Sequence, residues 1–164
     1  MLLMTPSPRA KVDNTMTTEH ATEFLTVAAT PAACIAIALD FPHYPDWAHD
    51  IKDAQVLATD AQGRGCKVAF RAAAMGRSAS YVLEYSYPDD NTIAWKLLEG
   101  DIMRALDGHY VFAPATDGGT DITYELTVEL VVPIPGFVKR RAEGKIMGTA
   151  LRELQHRVET VAAS

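Results

Sequence analysis

The sequence predicts an α+β fold in which a curved antiparallel sheet of six to seven strands wraps around one long C-terminal helix. Three observations indicate this class. Apolar and polar residues alternate with period 2 through the middle of the chain, prolines and short polar turns separate these stretches, and a proline-free segment with helical spacing follows them. The 164 residues are enough for one domain with a sizeable core.

The first 20 residues are rich in Thr, Ser and Pro and show no apolar period. This composition predicts a disordered leader over residues 1–20. Met1 and Met16 are both candidate start residues. A single domain is expected over residues 21–162.

The first ordered elements are a strand, a helix and a helical turn. The strand is predicted over Thr22–Ala28. Thr30 can cap the helix because its side-chain oxygen accepts a backbone N–H bond, and Pro31 suits the first helical position. This apolar helix is expected to end at Leu39 and to be largely buried. A helical turn follows between two prolines, over Phe41–Trp47.

Six further strands are expected from their alternation and their flanking turns. They are predicted over Ile51–Ala58, Cys66–Ala74, Ser78–Tyr87, Thr92–Leu97, Ile102–Phe112 and Asp121–Leu130. Unbroken alternation of this kind indicates a sheet with one covered face and one solvated face. A long amphipathic helix from Gly136 to about Ala162 is expected to provide the cover.

Six short stretches form an ordered set along the chain. They are Val27-Ala28, Thr30-Pro31, Tyr44-Pro45-Asp46-Trp47, Leu106–Phe112, Gly119–Tyr124 and Pro133–Glu143. Over about Glu23 to Glu159, this set resembles the START-like superfamily, which includes polyketide cyclase/dehydrases and lipid-transport domains, and the last stretch is similar to actinobacterial members. The resemblance implies a helix-grip fold with a cavity between sheet and helix. It implies no single reaction, because one fold hosts many functions.

Strand parity, together with this implied cavity, gives a set of expected ligand contacts. They are Phe70, Leu83, Tyr85, Trp95, Tyr110, Phe112 and Tyr124 from the sheet, and Met147 and Leu151 from the helix. An apolar lining with a few phenol hydroxyls and one indole N–H is typical of a small-molecule pocket. A packed core without a cavity would show the same alternation, and the resemblance favours the cavity.

Two residues near the expected mouth each have two interpretations. Arg104 shares parity with Leu106 and Tyr110 and either binds a ligand carboxylate there or extends into water. Trp47 either closes the mouth or anchors the helical turn as a structural plug.

No catalytic residue is assigned. General acid–base chemistry needs a titratable group inside the pocket, and the titratable strand residues fall on the opposite face. These residues are Arg71, Glu84, Asp107, His109, Glu125 and Glu129. Binding of a hydrophobic small molecule, as a carrier or sensor, is therefore favoured over catalysis. A polyketide aromatase/cyclase that uses Tyr85, Tyr110 and Arg104 is one alternative, and an interaction domain without an open cavity is another.

The formal charge of −6 argues against a nucleic-acid partner, which would require a basic face. No cofactor is predicted, and the five histidines show no metal-ligand spacing. The one basic cluster is Lys139, Arg140 and Arg141. This cluster is either a solvated helix face or a site of transient contact with an anionic membrane.

The two cysteines, Cys34 and Cys66, do not form a disulfide framework, which favours a reducing compartment. No apolar run approaches the roughly 20 residues of a membrane span. A cytoplasmic location is expected. The oligomeric state and the identity of the ligand stay open.

Overall fold

The computed structural model describes residues 19–74 and 76–163. In these residues the strands are β1 (Glu19–Val27), β2 (Ile51–Thr59), β3 (Gly65–Ala74), β4 (Arg77–Asp89), β5 (Thr92–Gly100), β6 (Met103–Pro114) and β7 (Thr120–Leu130). The helices are α1 (Pro31–Leu39), a short 3-10 helix (Phe41–Asp46) and α2 (Gly136–Ala162). The predicted α+β class is confirmed.

The strands form one sheet in the order β1-β7-β6-β5-β4-β3-β2. All neighbouring strands pair antiparallel. From β2 to β7 each strand lies beside the next one in sequence, so short turns are sufficient to connect them. Because α2 packs on this sheet, the helix-grip arrangement is also confirmed.

The signals at the start of α1 act as the sequence predicts. The Thr30 side-chain oxygen accepts a hydrogen bond from the Ala33 backbone N–H at 3.2 Å, and proline occupies the first turn. Only Cys34 and Ala38 of this helix are buried, and Ala32 and Ala36 are exposed, so the helix is less buried than the sequence predicts. The Tyr44 hydroxyl donates to the Ala38 carbonyl at 2.5 Å, which fixes the 3-10 helix against the end of α1.

β1 begins at Glu19, three residues before its predicted start, because it pairs with β7 along its whole length. Two residues of the expected leader, Glu19 and His20, therefore belong to the sheet. Residues 1–18, including Met16, lie outside the described residues. The division of the chain into a leader and one domain stays a prediction.

The register of β6 against β7 shifts between Met103 and Ala105. Met103 lies opposite Leu130, and Ala105 lies opposite Glu129, so Arg104 is an extra residue at this point. Such a bulge interrupts the strict alternation of side chains. Parity counted from Leu106 therefore does not extend to Arg104.

α2 packs chiefly on β1, β7 and α1. The side chains that meet there are fully buried and include Val27, Ile122 and Val128 from the sheet and Leu154 and Val158 from the helix. Each such side chain contributes about 1.5–3 kcal/mol relative to an exposed position. The concave face of β3 to β5 lies farther from α2, which leaves room between them.

Three glutamates of α2 accept hydrogen bonds from backbone N–H groups of three separate segments. The pairs are Leu130 N with Glu143 at 2.8 Å, His49 N with Glu153 at 3.2 Å, and Ala28 N with Glu159 at 2.9 Å. The three glutamates lie in the first half, the second half and the last turns of the helix. Polar bonds to the rest of the fold therefore hold α2 along most of its length.

Candidate functional site

A cavity of about 330 Å³ lies between α2 and the concave face of the sheet. Its volume is near the lower end of the range of about 300–1,000 Å³ for small-molecule sites. Strands β2 to β7, the 3-10 helix with the segment after it, the β7–α2 connection and α2 all contribute to the wall. The cavity exists because α2 contacts only one side of the face that it covers.

Six of the ten residues expected to contact a ligand line this cavity. They are Phe70, Leu83, Tyr85, Trp95, Tyr110 and Tyr124. They come from five adjacent strands, at positions that the alternation assigns to the covered face. The structure therefore brings these residues together around one space, and ligand contact by each of them stays a prediction.

Three other expected contacts do not line the cavity. Phe112, Met147 and Leu151 are buried in the apolar core. Their faces follow the predicted periodicity, and they lie where the helix and the sheet are packed. Parity identifies the covered face of a strand, but it does not locate the contact between the helix and that face.

Arg104 requires a correction. Its guanidinium Nη1 lies 3.1 Å from the Glu129 carboxylate, its side chain is 53% exposed, and it does not line the cavity. The bulge in β6 is the physical reason, because the extra residue turns Arg104 out of the inward series. Its expected position at the cavity mouth is wrong.

Trp47 lies in the cavity wall beside Tyr44, with ring centroids 4.9 Å apart. Both residues are half-buried. Trp47 therefore lines the mouth and also anchors the end of the 3-10 helix, so its two interpretations are compatible. Tyr44 was not expected at the site, because nothing in the helical-turn pattern indicates the direction of its ring.

Aromatic side chains form a row across the sheet at one end of the cavity. Tyr85 pairs with Trp95 across β4 and β5, and Tyr110 pairs with Tyr124 across β6 and β7. The Trp95 ring centroid lies 5.2 Å from that of Tyr110 and 6.1 Å from those of Tyr85 and Tyr124. We call Tyr85, Trp95, Tyr110 and Tyr124 the aromatic row.

Gly108 makes room for the aromatic row. It lies opposite Trp95, and a Cβ atom there would be 2.9 Å from the indole ring and 2.3 Å from the Glu125 carbonyl oxygen. Any larger residue would displace the indole or the neighbouring strand. The glycine of the family-like stretch at residues 106–112 thus has a packing role beneath Trp95.

The phenol hydroxyls fall into two groups. Those of Tyr44 and Tyr87 donate to backbone carbonyls. The hydroxyls of four cavity tyrosines make no hydrogen bond with any part of the chain that the structure describes. These four are Tyr81, Tyr85, Tyr110 and Tyr124. Their hydroxyls are therefore available as hydrogen-bond donors in residues of the cavity wall.

Burial keeps these phenols protonated. It raises the pKa of Tyr85 and Tyr124 well above the ordinary tyrosine value, with a smaller contribution from neighbouring phenols. Burial also raises the pKa of Tyr81 and Tyr110. At neutral pH these hydroxyls can donate hydrogen bonds, but they cannot act as bases.

The rest of the cavity wall has both aliphatic and aromatic side chains, since Trp47, Phe70 and Tyr81 also line it, together with charged residues. The aliphatic side chains include Ala79 of β4, Met103 of β6 and Ile146 of α2. Four charged side chains line the rim, namely Asp50, Arg77, Lys145 and Glu153. Glu153 also holds the His49 ring at 2.6 Å. Lys145 lies four residues before Thr149, which also lines the cavity, so the helical pattern alone contained a signal for it.

The strand residues expected to face water contact one another on the outer face. Glu125 lies 3.5 Å from the His20 ring and 3.6 Å from the His109 ring, and Lys96 lies 3.6 Å from Glu84. Within the described ranges, no group of three His, Cys, Asp or Glu residues is arranged to hold a metal ion. No helix in the same ranges has the length and apolar character of a membrane span.

The family described as polyketide cyclase / dehydrase and lipid transport matches residues 18–162. A START superfamily protein from Mycobacterium smegmatis is similar in structure, with a TM-score of 0.78, 26% sequence identity, and coverage of 87% of this chain and 98% of that one. No curated protein matches.

Two further solved structures are similar. A protein from Thermus thermophilus has a TM-score of 0.71 and 26% identity, and the match covers 90% of this chain and 99% of that one. An aromatase/cyclase from Streptomyces sp. R1128 has a TM-score of 0.73 and 14% identity, with coverage of 87% and 94%. At 14% identity the second likeness concerns the fold alone.

Proposed function

We propose, from the premise that this chain belongs to the polyketide cyclase / dehydrase and lipid-transport family of START-like proteins, that it holds a hydrophobic small molecule as a carrier or sensor. The molecule is a lipid or a polyketide-like compound. The observation that carries the proposal is the cavity of about 330 Å³, whose wall is apolar except for phenols inside and charges at the rim.

Energetics support binding in such a space. Each buried methylene contributes about 0.8 kcal/mol, so a chain of about ten carbons offsets a loss of several kcal/mol on association. Since the wall offers aliphatic and aromatic surface throughout, the whole length of the cavity can contribute.

A variant whose cavity is filled by a larger side chain tests this proposal. Ala150 is half-buried in the cavity wall, and Ala150→Phe places a ring in the space. We expect the unaltered protein to carry a ligand through gentle purification in native mass spectrometry, and to gain thermal stability from decanoic acid or a polyphenol. The variant should lose both properties. Ala162→Phe, at an exposed position on the same helix, is the matched control.

A protein that never carries a ligand, and whose melting temperature no fatty acid, sterol, quinone or polyphenol raises, would contradict the proposal. Equal binding by Ala150→Phe and the unaltered protein would place the ligand elsewhere. If no ligand binds, the interaction domain without an open cavity becomes the better interpretation.

Binding is favoured over the aromatase/cyclase alternative. The described groups along the aromatic row are phenols with raised pKa values, and Arg104 lies on the outer face. General acid–base catalysis is most efficient when the group titrates near the working pH. Turnover of a polyketide substrate that falls on Tyr110→Phe, without loss of binding, would support the cyclase instead.

Ligand exchange by contact with an anionic membrane is the proposed role of Lys139, Arg140 and Arg141. These residues follow Phe137, which is 62% exposed, and Val138, which lines the cavity mouth. An exposed aromatic ring beside basic side chains is suited to an anionic lipid surface, where each cation contributes about 1 kcal/mol. The basic cluster thus adjoins the opening through which a ligand would pass.

Vesicle flotation tests this contact. We expect binding to phosphatidylcholine vesicles that contain roughly 30% phosphatidylglycerol, and little binding to phosphatidylcholine alone. Replacement of Lys139, Arg140 and Arg141 by Gln should abolish the difference, whereas the control Arg64→Gln, distant from the mouth, should keep it. Equal flotation of the triple variant and the unaltered protein would remove the role.

We also propose a cytoplasmic location. Both Cys34 and Cys66 are free thiols, which is the usual state in a reducing compartment. Fractionation of cells that express the unaltered chain would test it, and recovery with the membrane or secreted fraction would contradict it.

A further inference from the structure

We propose that two copies of this chain pair through the free edge of β1, so that their sheets join into one across a two-fold axis at Phe24. Within the described ranges, β1 pairs with β7 alone and is the last strand on its side of the sheet. None of the described residues that line the cavity belongs to β1. The inference therefore does not depend on what the cavity holds.

The two edges of the sheet are built differently. β2 forms the other edge, and its pairing with β3 shifts register at three places. The exposed side chains of Lys52 and Asp53 also lie on β2. Bulges and edge charges, especially lysine, prevent native sheets from pairing with a further strand. β1 keeps one register with β7 from Glu19 to Val27 and contains neither lysine nor proline, so it is the edge to which a strand can add.

An exposed aromatic ring lies near the middle of this open edge. Phe24 is 75% exposed, more than any other large apolar residue in the described part of the chain. Its neighbours on the same face of the strand are Thr22 and Thr26. Their hydroxyls donate to Glu125 at 3.2 Å and to Asp121 at 2.6 Å, and both acceptors are on β7. β1 is thus held in a fixed register while its ring stays in contact with water, where burial against another apolar group would be favourable.

The order of side chains around Phe24 favours a second copy of the same strand as the occupant. Thr22 and Thr26 lie two residues before and after the ring, so an antiparallel copy centred on Phe24 sets ring against ring and threonine against threonine. On the other face of the strand, Glu23 then lies opposite Leu25 of the second copy. An axis at Glu23 would instead set two carboxylates directly opposite each other, which is destabilising.

The size of the contact predicts a weak dimer. The axis at Phe24 pairs residues 21–27 of one copy with the same residues of the other, which is the longest ladder around that centre within β1. A ladder of this length with two rings is small beside the roughly 1,600 Å² of a standard protein–protein interface. The formal charge of −6 on each chain adds a general repulsion. We therefore expect dissociation in the micromolar range.

Sedimentation velocity of the full chain, from about 1 to about 300 μM, tests the pairing. We expect the average mass to rise from that of one chain toward that of two. Phe24→Lys places a lysine of each copy at the axis and should keep the mass of one chain throughout. Leu57→Lys is the matched control, because Leu57 is 50% exposed on the other edge strand. A single-chain mass at every concentration, or equal loss of dimer in both variants, would overturn the proposal.

Disulfide trapping tests the register in a Cys66→Ser background. Phe24→Cys places two thiols across the axis with Cβ atoms about 4.5–5.5 Å apart, close to the separation in a disulfide. Oxidation with copper phenanthroline should give a covalent dimer. Thr22→Cys is the matched control, since its two copies would be about 14 Å apart along the ladder. Trapping by Thr22→Cys, without trapping by Phe24→Cys, would contradict an axis at Phe24.

Hydrogen exchange separates a second copy from any other occupant of the edge. Those amides of β1 that point away from β7 should exchange quickly at about 1 μM and more slowly as the dimer forms. Protection that does not change with concentration would mean that another segment, such as residues 1–18, covers the edge, and the proposal would fail. Ligand binding should be the same in Phe24→Lys and the unaltered protein, so failure of the dimer leaves the proposed function intact.

Discussion

Two halves of the concave face of the sheet have the same alternation of residues, but one half is packed against the helix and the other half lines the cavity. Near β7, Ile122 and Val128 are fully buried in the core that contains Leu154 of α2. Near β4, Leu83 and Tyr85 point inward by the same rule and line open space. The difference teaches that the sequence pattern of a strand selects its covered face, while the path of the helix decides whether that face is packed or hollow.

The largest expected effect separates the two halves by stability. Leu154→Ala removes a fully buried side chain from the packed half and should reduce the free energy of unfolding by about 3–5 kcal/mol. Leu83→Ala also truncates a buried side chain, but it enlarges a space that already exists and should cost about 2–3 kcal/mol, because fewer contacts are lost. Urea denaturation of both variants measures the gap. Equal losses would mean that the cavity is closed in solution.

Gly108 of β6 lies opposite Trp95, which lines the half of the face that faces the cavity. Gly108→Ala forces a Cβ atom against the Glu125 carbonyl oxygen and the Trp95 ring, and overpacking of this kind costs about 1–3 kcal/mol. Gly144→Ala is the control, because it has open space on α2 and should stabilise the helix by about 1 kcal/mol. The melting temperature should fall for Gly108→Ala and rise for Gly144→Ala. The Trp fluorescence spectrum should change only for Gly108→Ala. A stable Gly108→Ala protein with an unchanged spectrum would refute the packing role.

Glu143 lies beside Ala142 of the cavity wall and has a smaller, pH-dependent effect. Its buried carboxylate accepts the Leu130 N–H, its other oxygen has no partner, and burial raises its pKa. A raised folded-state pKa gives stability that is full below the ordinary glutamate value and is lost as pH rises through the shifted value. Glu143→Gln should therefore match the unaltered protein near about pH 4 and exceed its stability at about pH 8.

Chemical denaturation at several pH values checks this difference. Glu99→Gln, at an exposed position on β5, should show no comparable trend. A stability difference for Glu143→Gln that is constant with pH would mean that the carboxylate stays ionised throughout.

Arg104 should show the smallest effect. Arg104→Gln replaces the half-exposed guanidinium beside the buried Glu129 carboxylate with an amide that can still donate a hydrogen bond, and should cost about 1 kcal/mol. Because the side chain is outside the cavity, ligand affinity should stay within about two-fold of the unaltered protein. Calorimetric titration with the best ligand measures it. A large loss of affinity would return Arg104 to the mouth and revive its role in a cyclase.

The sequence predicts the fold more completely than the site. Alternation and turns locate all the strands to within a few residues, since these signals are local. Capping at Thr30 and the proline-free stretch of α2 are local in the same sense. Six expected cavity residues follow from strand parity, which a regular sheet preserves.

The misplaced residues show where local information ends. Arg104 is misplaced because a bulge breaks parity, and no turn residue or glycine marks that bulge in the sequence. Met147 and Leu151 have the correct periodicity, but their partners depend on the long-range position of α2. Asp50 lies in the loop before β2, and Arg77 is the first residue of β4, so the periodicity of the predicted strands covers neither of them.

The three glutamate bonds of α2 have a consequence for evolvability. Each donor is a main-chain N–H, so substitution at Leu130, His49 or Ala28 does not remove it unless proline is introduced. Two of the acceptors, Glu143 and Glu159, lie outside the cavity wall, so most of the wall can change while these two bonds hold the helix above the sheet. Such a scaffold can exchange its lining for a new ligand while its empty form stays open, and it need not be rebuilt for each specificity.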